Sequence, residues 1–413
     1  MRVLITPFPW VPHYYPIVPF AWACQMAGHE VRIAAAPTIT DVITRTGLPA
    51  VPVGPDPAEA FRRSGVTFTP PKGSRHSRKD SGPREPWPAD WPAHPERLSE
   101  EQRAYFRKIG LFASVMADAQ LDELVAFGRD WRADVIVHDG TQFAGPVAAA
   151  ALGIPNVRYL LGYPGQLRVD TCYGDELVPE FARLFERFGV APRAEPTAWL
   201  DPSPPGVQYP WAADANVLAM RYVPYNGPGE LPAWLHRPPA RPRVCMTWGF
   251  TTAEWEGPAM LDFVRQTIDA ITGLDVELVL VLSETLRDLL GEQPDGVRVA
   301  VGLPMNALLP TCSAVVHHAG PGTTMAAVAA GVPQLMITNH PHNAAIASRV
   351  AATGAGRHLL LEDVPTGPEA TRAEVAALLG TPSYREGAER LRRENARQPA
   401  PSDVVSALEG LAA

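Results

Sequence analysis

The chain has 413 residues, 46% hydrophobic and 19% charged, a balance of well-buried globular domains that excludes a disordered chain. Its net charge of −8, with only three lysines (Lys72, Lys79, Lys108) and no basic run, excludes a surface built for nucleic acid or anionic membrane. At roughly 100–200 residues per domain, the length allows two or three domains.

In chain order, Val3-Leu4-Ile5 reads as a buried strand, followed by a proline-rich loop and an apolar helix from about Ile17 to Ala27 that stops at Gly28. The opening strand is too short for a signal peptide and no apolar stretch of about 20 residues follows, so a cytoplasmic protein is expected. A second strand, Val31 to Ala35, completes a βαβ unit, and the pattern recurs with Val135-Ile136-Val137, a small-residue helix over Gly145 to Leu152 and a strand near Val157. Residues 55–100 break this rhythm with prolines, charges, Trp87 and Trp91, and read as an irregular functional segment. A second proline-rich stretch spans 192–242. After it the rhythm restarts with a strand at Arg243 to Trp248, a helix near 258–272, the strand Glu277 to Leu282 and the strand Ala314-Val315-Val316; the last 25 residues read as helical. The predicted fold is α/β, two doubly wound Rossmann-like domains facing across a cleft. The expected boundaries are an N-terminal acceptor domain at 1–205, a linker at 206–242, a C-terminal nucleotide-sugar domain at 243–390, and a helix at 391–413 returning toward the first domain. Cys24, Cys172, Cys245 and Cys312 are widely spaced; the first and last two lie in apolar segments, which argues against a disulfide framework or zinc site.

The most informative stretch runs from Val315 through His317, His318, Ala319, Gly320, Pro321, Gly322, Thr323 and Thr324 into an alanine-rich helix. A buried strand that turns through glycines into a helix presents unpaired N–H groups and a positive dipole end, an anion site suited to a diphosphate. Gly320 and Gly322 permit close approach, Thr323 and Thr324 add hydroxyls, and His318 a further donor. The same turn read plainly is a strand–helix connection with a core histidine, but two His, two Gly and two Thr exceed that need. Other phosphate binders are missing: no Gly-Lys pair for a P-loop, no glycine between Thr6 and His13 for a dinucleotide fingerprint, and no Asp-x-Asp to clamp a metal-bound nucleotide sugar.

His318-Ala-Gly320-Pro-Gly322-Thr323-Thr324 followed by Ala330-Gly331-Val332-Pro333-Gln334 resembles the donor motif of GT-B glycosyltransferases of family 1, and Val301 to Pro310 resembles their base-recognition loop. Arg221 to Gly227 with Pro232-Ala-Trp234-Leu235 is similar to the interdomain segment of the actinomycete subgroup that attaches deoxysugars to macrolide and other polyketide antibiotics. The resemblance implies an inverting, metal-independent hexosyltransferase with no cofactor, a dTDP-sugar as co-substrate and a hydrophobic small-molecule acceptor. It places His13 as catalytic base and Asp139 as the carboxylate orienting it, Thr251 and Thr252 on the diphosphate, and Leu303 and Met305 near the base. Two departures stand out: Ala319 replaces a glycine, and His342-Asn343 replaces the Asp-Gln pair that grips sugar hydroxyls, which favours a dTDP-deoxysugar over UDP-glucose. Trp10, Tyr14 and Phe143 are candidates to line the acceptor pocket. A helper protein docking over residues 55–110 and a homodimer are partners the resemblance admits.

Read without the family, His13 is equally an exposed loop histidine, Asp139 a strand-end turn residue, His342-Asn343 a loop cap, and the three aromatics core. Within glycosyltransferases the competing reading is an antibiotic-inactivating UDP-glucose enzyme. Outside them it is a nucleotide-sugar epimerase, for which residues 342–343 supply no acid, or a non-catalytic nucleotide-sugar binder.

Overall fold

In this computed structural model the described residues are 1–66, 86–161, 172–173, 176–248 and 258–413, with backbone alone at 172, 173, 176, 258 and 259. The strands are β1 (Arg2–Thr6), β2 (Glu30–Ala35), β3 (Ala50–Pro52), β4 (Val135–Asp139), β5 (Asn156–Tyr159), the short antiparallel pair β6 (Cys172–Tyr173) and β7 (Glu176–Leu177), then β8 (Ala198–Asp201) and β9 (Val217–Ala219). The N-terminal sheet pairs in parallel in the order β3-β2-β1-β4-β5-β8-β9. The second sheet comprises β10 (Arg243–Thr247), β11 (Glu277–Leu282), β12 (Val297–Val301), β13 (Ala314–His317), β14 (Gln334–Thr338) and β15 (Gly356–Leu360). Its order, β12-β11-β10-β13-β14-β15, reverses direction at β10 just as the first reverses at β1, so both sheets are doubly wound.

Side chains alternate across each strand, and the sequence fills both faces. Val3, Ile5, Val135 and Val137 pack on one side with the helix Val18–Met26; Leu4 and Ile136 pack on the other with helices Glu100–Trp131 and Ala144–Leu152. Each Leu or Ile so buried contributes about 1.5–3 kcal/mol. The C-terminal sheet repeats the arrangement, with Val244 and Met246 facing one core and Cys245 and Val315 the other. Cys24, Cys245 and Cys312 are free buried thiols, and desolvation pushes Cys24 and Cys312 up to about 12.

The structure corrects the sequence reading in two places. The linker expected at 206–242 contains β9, which completes the N-terminal sheet beside β8; its apolar run Val217 to Met220 lies within a proline-rich stretch that reads as a connection. Residues 55–100 hold a helix at Pro57–Ser64, and Ser99 and Gln102 form a reciprocal cap that starts the 32-residue helix Glu100–Trp131. At the other end the helix Pro401–Ala412 lays Val404, Val405 and Leu408 into the N-terminal core, with Glu409 3.0 Å from His29. No helix among the described residues is long and apolar enough to cross a membrane.

Candidate active site

Both sheets turn the carboxyl ends of their strands to the same cleft, where loops leave the sheet and side chains stay free of the core. The loops after β1, β4 and β5 supply one wall and those after β11, β12, β13 and β14 the other, enclosing a cavity of about 390 Å³. His13 and Trp10 line it from the first domain; Leu303, Met305, His318, Gly320, Gly322, Thr323, His342 and Asn343 line it from the second.

On the N-terminal wall, the one-turn helix Val11–Tyr14 carries Pro12 as its second residue and holds His13 by its N–H to the Trp10 carbonyl, 3.0 Å. The imidazole edge sits 5.4 Å from the Phe8 ring and 5.6 Å from Trp10, centroid to centroid. Its Nδ1 is 3.4 Å from Oδ2 of Asp139, a carboxylate with no solvent exposure at the end of β4. Asp139 Oδ2 also accepts the Phe8 N–H, while Oδ1 accepts the Thr141 N–H (2.6 Å), the Thr141 hydroxyl (2.8 Å) and the Gln142 N–H (3.1 Å). Burial by itself would raise this carboxyl; the His13 imidazole and these donors outweigh it and hold the pKa below the ordinary carboxylate value. An ionised Asp139 facing Nδ1 favours a proton on that nitrogen, which leaves Nε2 as the basic one.

On the opposite wall β13 ends at His317, and the helix Pro321–Ala330 starts from Gly320 as its cap. Pro321 has no N–H, so the amides of Gly322 and Thr323 are the unpaired donors of the first turn. His317 is fully buried: Ala319 N–H donates to its Nδ1 (3.1 Å) and its Nε2 pairs with Gln334 (2.9 Å). That bond holds Ala319 at φ +61°, the left-handed region where a Cβ costs about 1–2 kcal/mol, which explains why glycine suits this place. The Ala319 methyl instead packs with Met325, Met336 and Tyr222. Gly320 has ordinary φ; a methyl there would lie 2.8 Å from His318 Nε2, so the glycine makes room for that ring. Gly320→Ala is accordingly expected to displace His318 and weaken dTDP binding about tenfold with the melting temperature little changed, as measured by calorimetric titration.

Desolvation, helped by His317 and His340, pushes His318 down to about 3, and desolvation with His340 pushes His342 to about 4. His138, His317 and His358 are likewise held near 4 by burial. A histidine depressed in the folded state stabilises the fold above its unfolded pKa near 6.5 and loses that stability as pH falls toward the folded value. Unfolding followed by tryptophan fluorescence is therefore expected to show stability declining between pH 6.5 and about 4 and flat from pH 7 to 8.

Three candidates lie elsewhere. Tyr14 is fully buried, its hydroxyl 2.6 Å from Thr46, inside the N-terminal core and away from the cleft. Phe143, 4.8 Å from the Phe181 ring, packs between helices. Thr324 spends its hydroxyl on the Gly320 carbonyl (3.0 Å) and buries its side chain within the helix. Thr251 and Thr252 lie outside the described residues. His342 sits with its ring edge-on to Phe106 (5.0 Å) and Trp91 (5.7 Å), so the first domain reaches across to cover the second beside the glycine turn of Gly320 to Thr323. Asn343 donates to the His318 carbonyl at 3.2 Å. Several lining residues escaped the sequence reading: Tyr105, Ile109 and Phe112 from the long helix, and Phe8, Thr141 and Arg158. The spacing of the first three, four and three residues apart, marks one helix face, a signal available in the sequence. Among the described residues no group of three or more His, Cys, Asp or Glu is placed to hold a metal ion.

The family described as erythromycin biosynthesis protein CIII-like matches this chain with its N-terminal domain over residues 22–249 and its C-terminal domain over 265–411. The chain belongs to the EryCIII-like family. Like the 10-deoxymethynolide desosaminyltransferase of Streptomyces venezuelae, with which it is 37% identical over all of this chain and 97% of the relative, this EryCIII-like protein is a glycosyltransferase. It is also 37% identical to the aklavinone 7-beta-L-rhodosaminyltransferase of Streptomyces galilaeus, over 100% of this chain and 96% of that one. The solved structure of glycosyltransferase VinC in complex with dTDP superposes with a TM-score of 0.78 at 33% identity, covering 100% and 99% of the two chains. The EryCIII-like fold is thus that of a GT-B glycosyltransferase, two parallel-sheet α/β domains with the cleft between them.

Proposed function

We propose that this enzyme transfers a deoxysugar from a dTDP-sugar to a hydroxyl of a polyketide-type aglycone in antibiotic biosynthesis, with inversion at the anomeric carbon. The observation that carries the reading is one cavity holding the His13–Asp139 pair on one wall and the glycine turn of Gly320 to Thr323 on the other. An alcohol attacks weakly until its proton leaves; His13 Nε2 takes that proton as the bond forms, worth about 10²–10⁴-fold. Asp139 stabilises the imidazolium without itself accepting the proton. The Gly322 and Thr323 amides and the helix dipole favour the charge growing on the departing diphosphate. Leu303 and Met305 supply an apolar seat for the base, and Phe8, Trp10 and Phe112 a nonpolar wall for the acceptor. A His342-Asn343 pair under Trp91 and Phe106 suits a sugar with few hydroxyls.

Nucleotide sugars are made inside cells, which supports a cytoplasmic location. Of the expected helper-protein surface at 55–110, residues 67–85 lie outside the described residues; Trp91, Leu98 and Phe106 pack with Ala345 of the second domain, while Arg62 and Arg63 on the helix Pro57–Ser64 and Arg97 and Arg107 face outward. A homodimer is carried from the resemblance alone. A thermal-shift titration with dTDP, UDP and NAD⁺ tests the donor: a dTDP-selective rise, reduced in His318→Ala, is expected. A rise with UDP but not dTDP would move the reading to a UDP-glucose enzyme.

A further inference from the structure

Thr141 occupies a position between His13 and Asp139 that neither the family resemblance nor the sequence reading singled out. Its hydroxyl oxygen is 2.8 Å from Asp139 Oδ1 and 3.3 Å from His13 Nδ1, as near to the imidazole as Asp139 itself at 3.4 Å. A hydroxyl has one proton. Asp139, held ionised, can only accept, so that proton goes to Oδ1, and only a lone pair of Oγ1 is left to face His13. A lone pair attracts N–H and repels a bare ring nitrogen. Nδ1 therefore meets two acceptors, and the tautomer with the proton on Nδ1 and the free pair on Nε2 is favoured twice over.

The loop bearing Thr141 is fixed independently of His13. The Arg158 guanidinium, 5.2 Å over the Trp199 ring, donates to the Gly140 carbonyl, and the Thr141 and Gln142 amides donate to Asp139 Oδ1. Gln142 Nε2 donates to the Pro7 carbonyl at 3.0 Å and Phe8 N–H to Asp139, tying the loop after β4 to the loop that carries His13.

We infer that Thr141 is a positioning residue for the catalytic base: its hydroxyl, oriented by Asp139, shares the Nδ1 proton of His13 and fixes the tautomer that presents Nε2 to the acceptor hydroxyl. The inference rests on the proposed role of His13. Its test uses the full chain labelled with ¹⁵N-histidine, with His13 assigned by substitution. In the wild type, the His13 Nδ1 resonance at pH 8 is expected to be that of a protonated nitrogen. In Thr141→Val, which keeps shape but not hydroxyl, it is expected to move part-way toward the averaged position of two exchanging tautomers, since Asp139 is then the one acceptor left facing Nδ1, and in Thr141→Ser to return. Thr141→Ala serves if the valine variant does not fold. With whichever donor and acceptor the wild type turns over, kcat of Thr141→Val should fall about tenfold with KM within twofold, and Thr141→Ser should recover it. An Nδ1 signal unchanged in Thr141→Val and Thr141→Ala, or a serine variant as impaired as valine, would overturn the inference. A wild-type chain that transfers no sugar to any acceptor would sink the functional reading, while the resonance would still decide the part played by Thr141.

Discussion

Replacing His13 with alanine is expected to lower kcat about 10²–10⁴-fold and to leave dTDP affinity within a factor of two. The separation follows from geometry: His13 stands on the N-terminal wall with Trp10 and Phe8, while the proposed diphosphate turn at Gly320–Thr323 and the proposed base seat at Leu303 and Met305 belong to the other domain. Removing the imidazole takes away the group proposed to receive the acceptor's proton and leaves the proposed nucleotide seat on the other wall untouched. Because the loss is confined to the transition state, it should appear in kcat and kcat/KM alike. Steady-state kinetics together with dTDP titration by calorimetry measure both halves. A kcat within tenfold of wild type would show that another group, or water, takes the proton.

Asp139→Asn is expected to reduce kcat by up to about 10⁴-fold and also to destabilise the fold, a combination His13→Ala should lack. Asp139 accepts from Phe8, Thr141 and Gln142 on its two oxygens and also faces His13. An asparagine must turn its NH₂ toward one side of this ring of donors. Turned to Phe8 and His13, it sets N–H against N–H and asks Nδ1 to give up its proton, leaving Nε2 protonated and useless as a base. Turned to Thr141 and Gln142, it opens the loop. Asp139→Ala, which leaves the donors unanswered, should cost about 3–5 kcal/mol, readable as a fall in the denaturant midpoint. The same geometry fixes a pH dependence. With its folded pKa below the unfolded value near 4, Asp139 contributes its full stability above pH 4 and loses it as pH falls through 4 toward the folded pKa. In Asp139→Asn that acid limb should be shallower than in the wild type, while the histidine-driven decline between pH 6.5 and 4 persists.

Much of this was legible in the sequence because parallel strands buried on both faces are written as plain apolar runs. Val3-Leu4-Ile5, Val135-Ile136-Val137 and the strand Glu277–Leu282 announce themselves, and Gly28 marks the end of its helix with φ +88°. The turn from β13 into the helix Pro321–Ala330 stood out as a candidate site for a related reason, since its glycines and threonines exceed what a connection requires. Less accessible were features set by three dimensions. Nothing local distinguishes Tyr14 from Trp10; Trp10 is the extended residue that caps the short helix and faces the cleft, whereas Tyr14 is its last residue and enters the core. Thr324 looks like Thr323, but one residue along a helix rotates a side chain by about 100°, which carries its hydroxyl back to Gly320. The β9 strand hides among prolines because its three residues are held by pairing with β8 and not by their own pattern. Thr141 could have been suspected only from its place two residues beyond Asp139, where a hydroxyl can bond back to the carboxylate.

The most direct measurement offers the full chain a panel of dTDP-deoxysugars and UDP-glucose together with macrolactone and anthracyclinone aglycones, and follows nucleotide release and the anomeric configuration of any glycoside by NMR. The predicted result is dTDP release that depends on aglycone, a glycoside of inverted configuration, and loss of both in His13→Ala. Preference for UDP-glucose, a retained anomeric configuration, or conversion of the nucleotide sugar without an acceptor would contradict the account.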